Sequence, residues 1–172
     1  MLYRSAAKIL YSNGKVVTEN VDQVNENFIN TFSNITEEDQ GAGYIYVLSS
    51  KSEDEKISTI ENLFKIGYSK TEVQERIKNA VKEPTYLMAP VKVITIWKCY
   101  NMNPQKLEQL LHNFFGSACL NIDVFDENKK RYAPREWFIA PLHVIEKAVE
   151  LIISGEIIRY KFDSVNQIIY TK

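Results

Sequence analysis

Cysteine is scarce: Cys99 and Cys119 are the only two in 172 residues, with no CxxC pair and no histidine cluster beside them. That excludes a disulfide framework and a structural zinc site, and a reducing, cytoplasmic setting is expected. No stretch approaches the roughly 18 consecutive apolar residues needed to cross a bilayer, and the N-terminus lacks a signal-peptide core. No membrane partner is therefore expected. Strong charge is missing too. Lys and Arg number 21 against 22 Asp and Glu, a formal net charge of −1, which argues against a strongly basic nucleic-acid coat.

Apolar residues make up 45% of the chain and aromatics 12%, enough for a packed core. The length suits one domain with an extension. The charge is unevenly spread. Residues 1–42 hold three basic and six acidic side chains, whereas residues 43–140 hold fourteen and twelve, a small positive excess in the middle.

Residues 1–42 read as an N-terminal extension and linker. Ile9–Val17 resembles a hairpin, because Asn13-Gly14 suits a type I′ turn. Val21, Val24, Phe28 and Phe32 repeat at helical spacing, and Gly41-Ala42-Gly43 reads as a hinge. From 43 to 140 the pattern is strand–strand–helix–strand–helix. Tyr44–Leu48 and Leu63–Tyr68 are β-prone, and Thr71 with Gln74 forms a capping pattern for a helix running to about Lys82. Val91–Cys99 is a third strand. Asn103-Pro104 opens a helix striped by Leu107, Leu110, Leu111 and Phe114. Residues 116–135 read as loop. A last helix from Pro141 to Gly155 belongs to a C-terminal segment, 141–172, expected to pack on the middle.

Several polar residues stand where packing alone would place apolar ones. Arg76 borders the stripe Val73, Ile77, Ala80 and Val81, so it either pairs with Glu72 one turn back or offers an anion-binding guanidinium. Glu108, beside Leu111 and His112, is either a solvated helix glutamate or a hard-oxygen ligand for Mg²⁺. Tyr46 and Lys65 sit mid-strand, and their shared face depends on register. Gly67 in the second strand marks close approach of another group. Lys70, Lys78, Lys82, Lys129, Lys130, Arg131 and Arg135 form either a groove lining or a solvated face.

Gly43–Leu48, Phe64–Lys70, Arg76, Leu107–His112 and Arg135–Phe138, in that order, resemble the GIY-YIG nuclease superfamily, in its phage-type branch whose second motif reads KIG. The resemblance covers about residues 43–140. Tyr44 departs from it, standing where the first motif usually has glycine, and the loop between the first two strands is longer than usual. The resemblance implies an α+β fold, a small three-stranded antiparallel sheet flanked by helices. It implies an endonuclease hydrolysing DNA phosphodiesters with one Mg²⁺ (or Mn²⁺) ion. Tyr46 would be general base, Lys65 would support it or hold a phosphate oxygen, and Arg76 would stabilise the charge growing on phosphorus. Glu108 would hold the metal, with Glu136 as a second carboxylate and His112 as a further site member. Lys70, Lys78 and Arg135 would contact DNA. Three readings stay open on sequence: a metal-dependent endonuclease, a non-catalytic nucleic-acid-binding module of the same fold, and a partner-binding domain. The oligomeric state is open as well, a homodimer among the alternatives.

Overall fold

The computed structural model describes residues 7–11, 16–19 and 40–172. Its centre is a six-stranded sheet in the order β2-β1-β5-β3-β4-β8. The strands are β1 (Ala7–Tyr11), β2 (Val16–Glu19), β3 (Gly41–Ser50), β4 (Leu63–Ser69), β5 (Val91–Tyr100) and β8 (Trp137–Ile139). The fold class is α+β, as expected, but the sheet is larger than three strands. Its middle, β5-β3-β4, is antiparallel, and β8 adds a fourth antiparallel strand beside β4. On the other side β1 runs parallel to β5, and β2 pairs antiparallel outside it with Leu10 opposite Val16. The expected hairpin pairing is therefore present, and it supplies two strands to the sheet; the Asn13-Gly14 turn and the helical spacing from Val21 to Phe32 lie outside the described residues.

Alternation along β3 builds both faces. Ile45 and Val47 join Ile66, Trp97 and Cys99 on one side, under α3 (Pro104–Phe114) and α4 (Leu142–Ser154), where Leu107, Leu111, Phe115, Ile145 and Val149 complete the main core. Tyr46 and Leu48 point to the other side, where Val73, Ala80 and Tyr86 pack on them. The helix starts and stops follow local chemistry. Asn103 caps α3 by accepting the Lys106 N–H at 3.1 Å, with Pro104 in the first position. Gly155, at φ 77°, ends α4 in the left-handed conformation.

Other expectations are corrected. Gly41-Ala42-Gly43 is the start of β3, not a hinge. Gly43, at φ 125°, sits at an irregularity in the β3–β5 register, where a Cβ would meet the Ser69 carbonyl oxygen at 2.7 Å. The helix after Thr71 covers only Val73–Ile77 (α2); Glu72 stands at its N-cap without a side-chain cap bond, and Ser69 Oγ accepts the Thr71 N–H instead. Two 3₁₀ turns, Ala80–Lys82 and Pro84–Tyr86, follow in place of a longer helix. A continuous helix would carry Ala80 and Tyr86 away from Tyr46 and Leu48, so burial of that apolar surface outweighs helical propensity.

A single turn of helix, α1 (Glu55–Ser58), lies between β3 and β4. The stretch 116–135 contains a 3₁₀ turn and a short pair, β6 (Val124–Phe125) with β7 (Arg131–Tyr132). The tail closes as a hairpin of β9 (Tyr160–Asp163) and β10 (Ile168–Thr171).

Candidate functional site

Register answers the first question left by the sequence: Tyr46 lies opposite Gly67 and Leu48 opposite Lys65, so all four share the face away from α3 and α4. Gly67 is glycine because the Tyr46 ring crosses over it. A Cβ there would stand 2.4 Å from Tyr46 Cζ, closer than real side chains approach. The buried Tyr46 hydroxyl lies 3.2 Å from that of Tyr86. Burial first, then this hydroxyl contact, drives the Tyr46 phenol well above its usual range, and the opposing pull of Arg76 does not restore it. At rest Tyr46 is a neutral phenol.

Lys65 is 1% exposed and ionically paired with Glu136. Its ammonium also donates to Thr85 Oγ1 at 3.0 Å, and the Thr85 hydroxyl donates in turn to Glu136 Oε2 at 2.8 Å. Burial pulls the Lys65 ammonium down, opposed by Glu136. Burial pushes Glu136 up, but the Lys65 charge and the hydrogen bonds from Lys65 and Thr85 win and hold it below the ordinary carboxylate value. A buried pair of this kind adds little net stability, yet removal of one member leaves a charge with no partner.

Arg76 does not pair with Glu72, whose carboxylate accepts the Tyr44 hydroxyl at 2.6 Å. Its guanidinium instead meets Glu83 at 3.0 Å and stands 5.3 Å from the centre of the Tyr86 ring. The Lys65 ammonium is also 5.3 Å from that ring. Tyr86 thus gathers two cations, each attracted by the ring's negative faces.

Glu83, Thr85 and Tyr86 were not singled out from sequence. They sit in the turn before β5, where Leu87 and Met88 take left-handed φ of 59° and 54°. Such backbone costs of order 1–2 kcal/mol per non-glycine residue and is kept where surrounding contacts demand it. The one sequence signal was an aromatic residue, Tyr86, two positions after Pro84, in a linker that otherwise needed none.

The opposite wall is made at the edge of β4. Strand β8 pairs with β4 only over Leu63–Lys65, and the Ile66 N–H then donates to the Glu136 carbonyl at 3.1 Å. Past that point α3 covers the edge. His112 Nε2 bonds the Ile66 carbonyl at 2.7 Å, and since a carbonyl only accepts, Nε2 carries the proton. The Tyr68 backbone N–H acts on the Glu108 carboxylate as a stabilising dipole. Burial raises Glu108 above the usual carboxylate range and Glu136 adds to the rise; His112, Lys65 and that N–H act against it. Glu108 and His112, one turn apart on α3, therefore reach round the strand edge toward Lys65 and Glu136.

Among the described residues no group of three or more His, Cys, Asp or Glu side chains is arranged to hold a metal ion. The donors present, Glu108 and the partly exposed Glu136, suit a hard cation of the Mg²⁺ type, which takes one or two protein carboxylates and fills its shell with water and phosphate oxygens. Of the basic residues, Lys70 and Arg135 are exposed, Lys78 is taken up by Glu75, and Arg131 pairs with Asp123 at 2.9 Å. No helix among the described residues is long and apolar enough to cross a membrane.

Comparison with known proteins assigns the family. The model of the T5orf172 domain matches residues 43–153, about two thirds of the chain, so the chain belongs to the T5orf172 domain family. This corrects the GIY-YIG assignment suggested by the motifs. Five short motifs test a few positions each, whereas the family match runs continuously from β3 through α4. The family points to a nucleic-acid-related role. The chain is also 37% identical over 153 residues to "Uncharacterized protein YeeC" of Bacillus subtilis (strain 168), covering 89% of this chain and 38% of that protein. It thus spans well under half the length of this relative. No solved structure matches the chain.

Proposed function

We propose that this member of the T5orf172 domain family binds DNA at the β4 edge and hydrolyses its phosphodiester bonds with one divalent metal ion. The observation that carries the reading is the gathering, around one strand edge, of a buried lysine, a guanidinium, two phenols and two carboxylates from six separate segments. Apolar packing accounts for the two phenols, but it gives no reason to bring the lysine, the guanidinium and the two carboxylates beside them, and a phosphate ester does.

In this reading Arg76 and Lys65 supply positive charge to the phosphate oxygens, where charge accumulates as phosphorus becomes five-coordinate. Tyr46 orients the attacking water through its hydroxyl. To take the water's proton it must first become a phenolate, against burial and the Tyr86 hydroxyl, with Arg76 as the chain's own counterweight. Glu108, with Glu136 beside it, would hold a Mg²⁺ ion, which when present neutralises charge on the leaving oxygen. Tyr86 and Thr85 keep the two cations and Glu136 in register. Lys70 and Arg135 extend the contact along the backbone.

A second reading, DNA binding without turnover, draws on one feature: Glu136 already neutralises Lys65, and Tyr46 rests protonated. Supercoiled plasmid incubated in Mg²⁺ or Mn²⁺ separates the two. Nicking that disappears in Arg76→Ala and in Glu108→Ala is the expected result. Retardation of DNA with no nicking in any cation establishes the binding module, and neither effect at low salt refutes both.

A further inference from the structure

A cleft of about 310 Å³ opens next to the Lys65–Thr85–Glu136 group, between the turn at Pro84 and the segment from Tyr132 to Glu136. We propose that it is a nucleobase subsite, taking one unstacked base of the strand whose backbone lies at Lys65 and Arg76. This rests on the function proposed above and specifies the form of its substrate: a nucleotide out of the double helix.

The walls are more apolar than polar, and two of them are the rings of Pro84 and Pro134. Flat, largely apolar walls suit the face of a base and are poor for a bare phosphate, which needs converging N–H donors. The Tyr132 ring is held in place. Its hydroxyl donates to Asp126 Oδ2 at 3.2 Å, and Asp126 Oδ1 accepts the N–H groups of Asn128 and Lys130 at 2.8 and 2.9 Å. Strand β7, tied to the turn before it, therefore presents an ordered aromatic ring, with the Lys130 ammonium 5.2 Å from its centre.

Charge is placed for a nucleotide. The exposed Arg135 lies on the cleft's lining, suited to a phosphate outside, whereas the acidic Glu136 repels an anion inside. Glu136 is 40% exposed, so its carboxylate remains reachable from the cleft while also accepting from Lys65 and Thr85. A carboxylate there accepts from an exocyclic amino group, which cytosine and adenine have and thymine lacks. Thr85 and Glu136 belong to both cleft and cluster, which makes the two sites contiguous. A base within a duplex cannot enter, so the occupant is an unpaired or flipped nucleotide.

The test uses the full chain and short fluorescent single-stranded oligonucleotides, one with bases and one of the same length with abasic sugars. The expected result is about fivefold or tighter binding of the base-containing strand, the scale of base stacking in single-strand binders. Tyr132→Ala, which removes the aromatic wall of the cleft, should abolish that preference and leave abasic binding in place. Equal affinity for both strands in the unsubstituted chain overturns the subsite while the backbone site stands. A preference that survives Tyr132→Ala places base recognition elsewhere and also overturns it. Binding of neither strand at low salt refutes the proposed function together with the subsite.

Discussion

Gly67 has no side chain because the ring of Tyr46 occupies the space one would need. Gly67→Ala forces the ring or the strand to shift, at a cost of about 1–3 kcal/mol typical of overpacking. Chemical denaturation is expected to show that loss, and a plasmid assay a larger loss of nicking than stability explains, since Tyr46 itself is displaced.

The Lys65–Glu136 pair gives a prediction with a sign. Glu136 is held below its ordinary value, so its contribution is present above about pH 4.5 and is lost as pH falls through the lower folded value. Lys65 is also pulled down, so its buried charge costs stability at low and neutral pH, and the cost fades as pH rises toward 10.5. Glu136→Gln leaves that ammonium with Thr85 alone. The expected loss is about 2 kcal/mol near neutrality, below the full cost of breaking a buried pair because water still reaches position 136. Denaturation midpoints of variant and parent should converge as pH approaches the unfolded lysine value. A gap independent of pH would show that Lys65 does not carry the effect. Tyr46 adds a kinetic expectation. If its phenolate takes the water's proton, nicking rises about tenfold per pH unit through pH 9, with no plateau, because the phenol is raised. A plateau below about pH 8 would assign that proton to another group.

At the scale of elements, α3 matters for what its second and third turns deliver. Glu108 and His112 reach the β4 edge only if the helix starts where Asn103 starts it. Asn103→Ala removes the acceptor for the Lys106 N–H and should cost about 1 kcal/mol, read as a lower thermal midpoint. Much of this level was legible. Asn103-Pro104, the leucine stripe and Gly155 each act locally, and a cap or a stop works the same way wherever the helix goes. The helix after Thr71 misled for the converse reason. Its continuation depended on whether Ala80 and Tyr86 could bury themselves on Tyr46 and Leu48, a contact between segments that no local rule contains.

At the scale of the molecule, strands β1 and β2 close one side of the sheet. Strand β1 pairs with β5 over Ala7–Tyr11 and β2 covers β1, so residues distant in sequence from the candidate site shield the half of β5 from Ile96 to Tyr100. Removal of residues 1–19 leaves that strand as a long open edge, and self-association is expected on size exclusion. A monodisperse, equally stable product would mean that the hairpin is dispensable. The net charge of −1 also bears on this scale, because any grip on DNA must come from local cations rather than from the whole surface. Affinity should therefore fall with salt with a modest slope, set by the few phosphates that Lys65, Arg76 and their exposed neighbours meet.

Taken alone, the sequence determined the central strands, the two long helices and the unusual polar residues Lys65, Arg76 and Glu108, because hydrophobic period and capping are properties of neighbouring residues. It also marked Gly67 as a place of close approach. Only the tertiary structure decided what approached it, which carboxylate met Lys65, and that Thr85 and Tyr86 join the group. Those pairings rest on strand register and on a turn with two left-handed residues, where charges distant along the chain become neighbours.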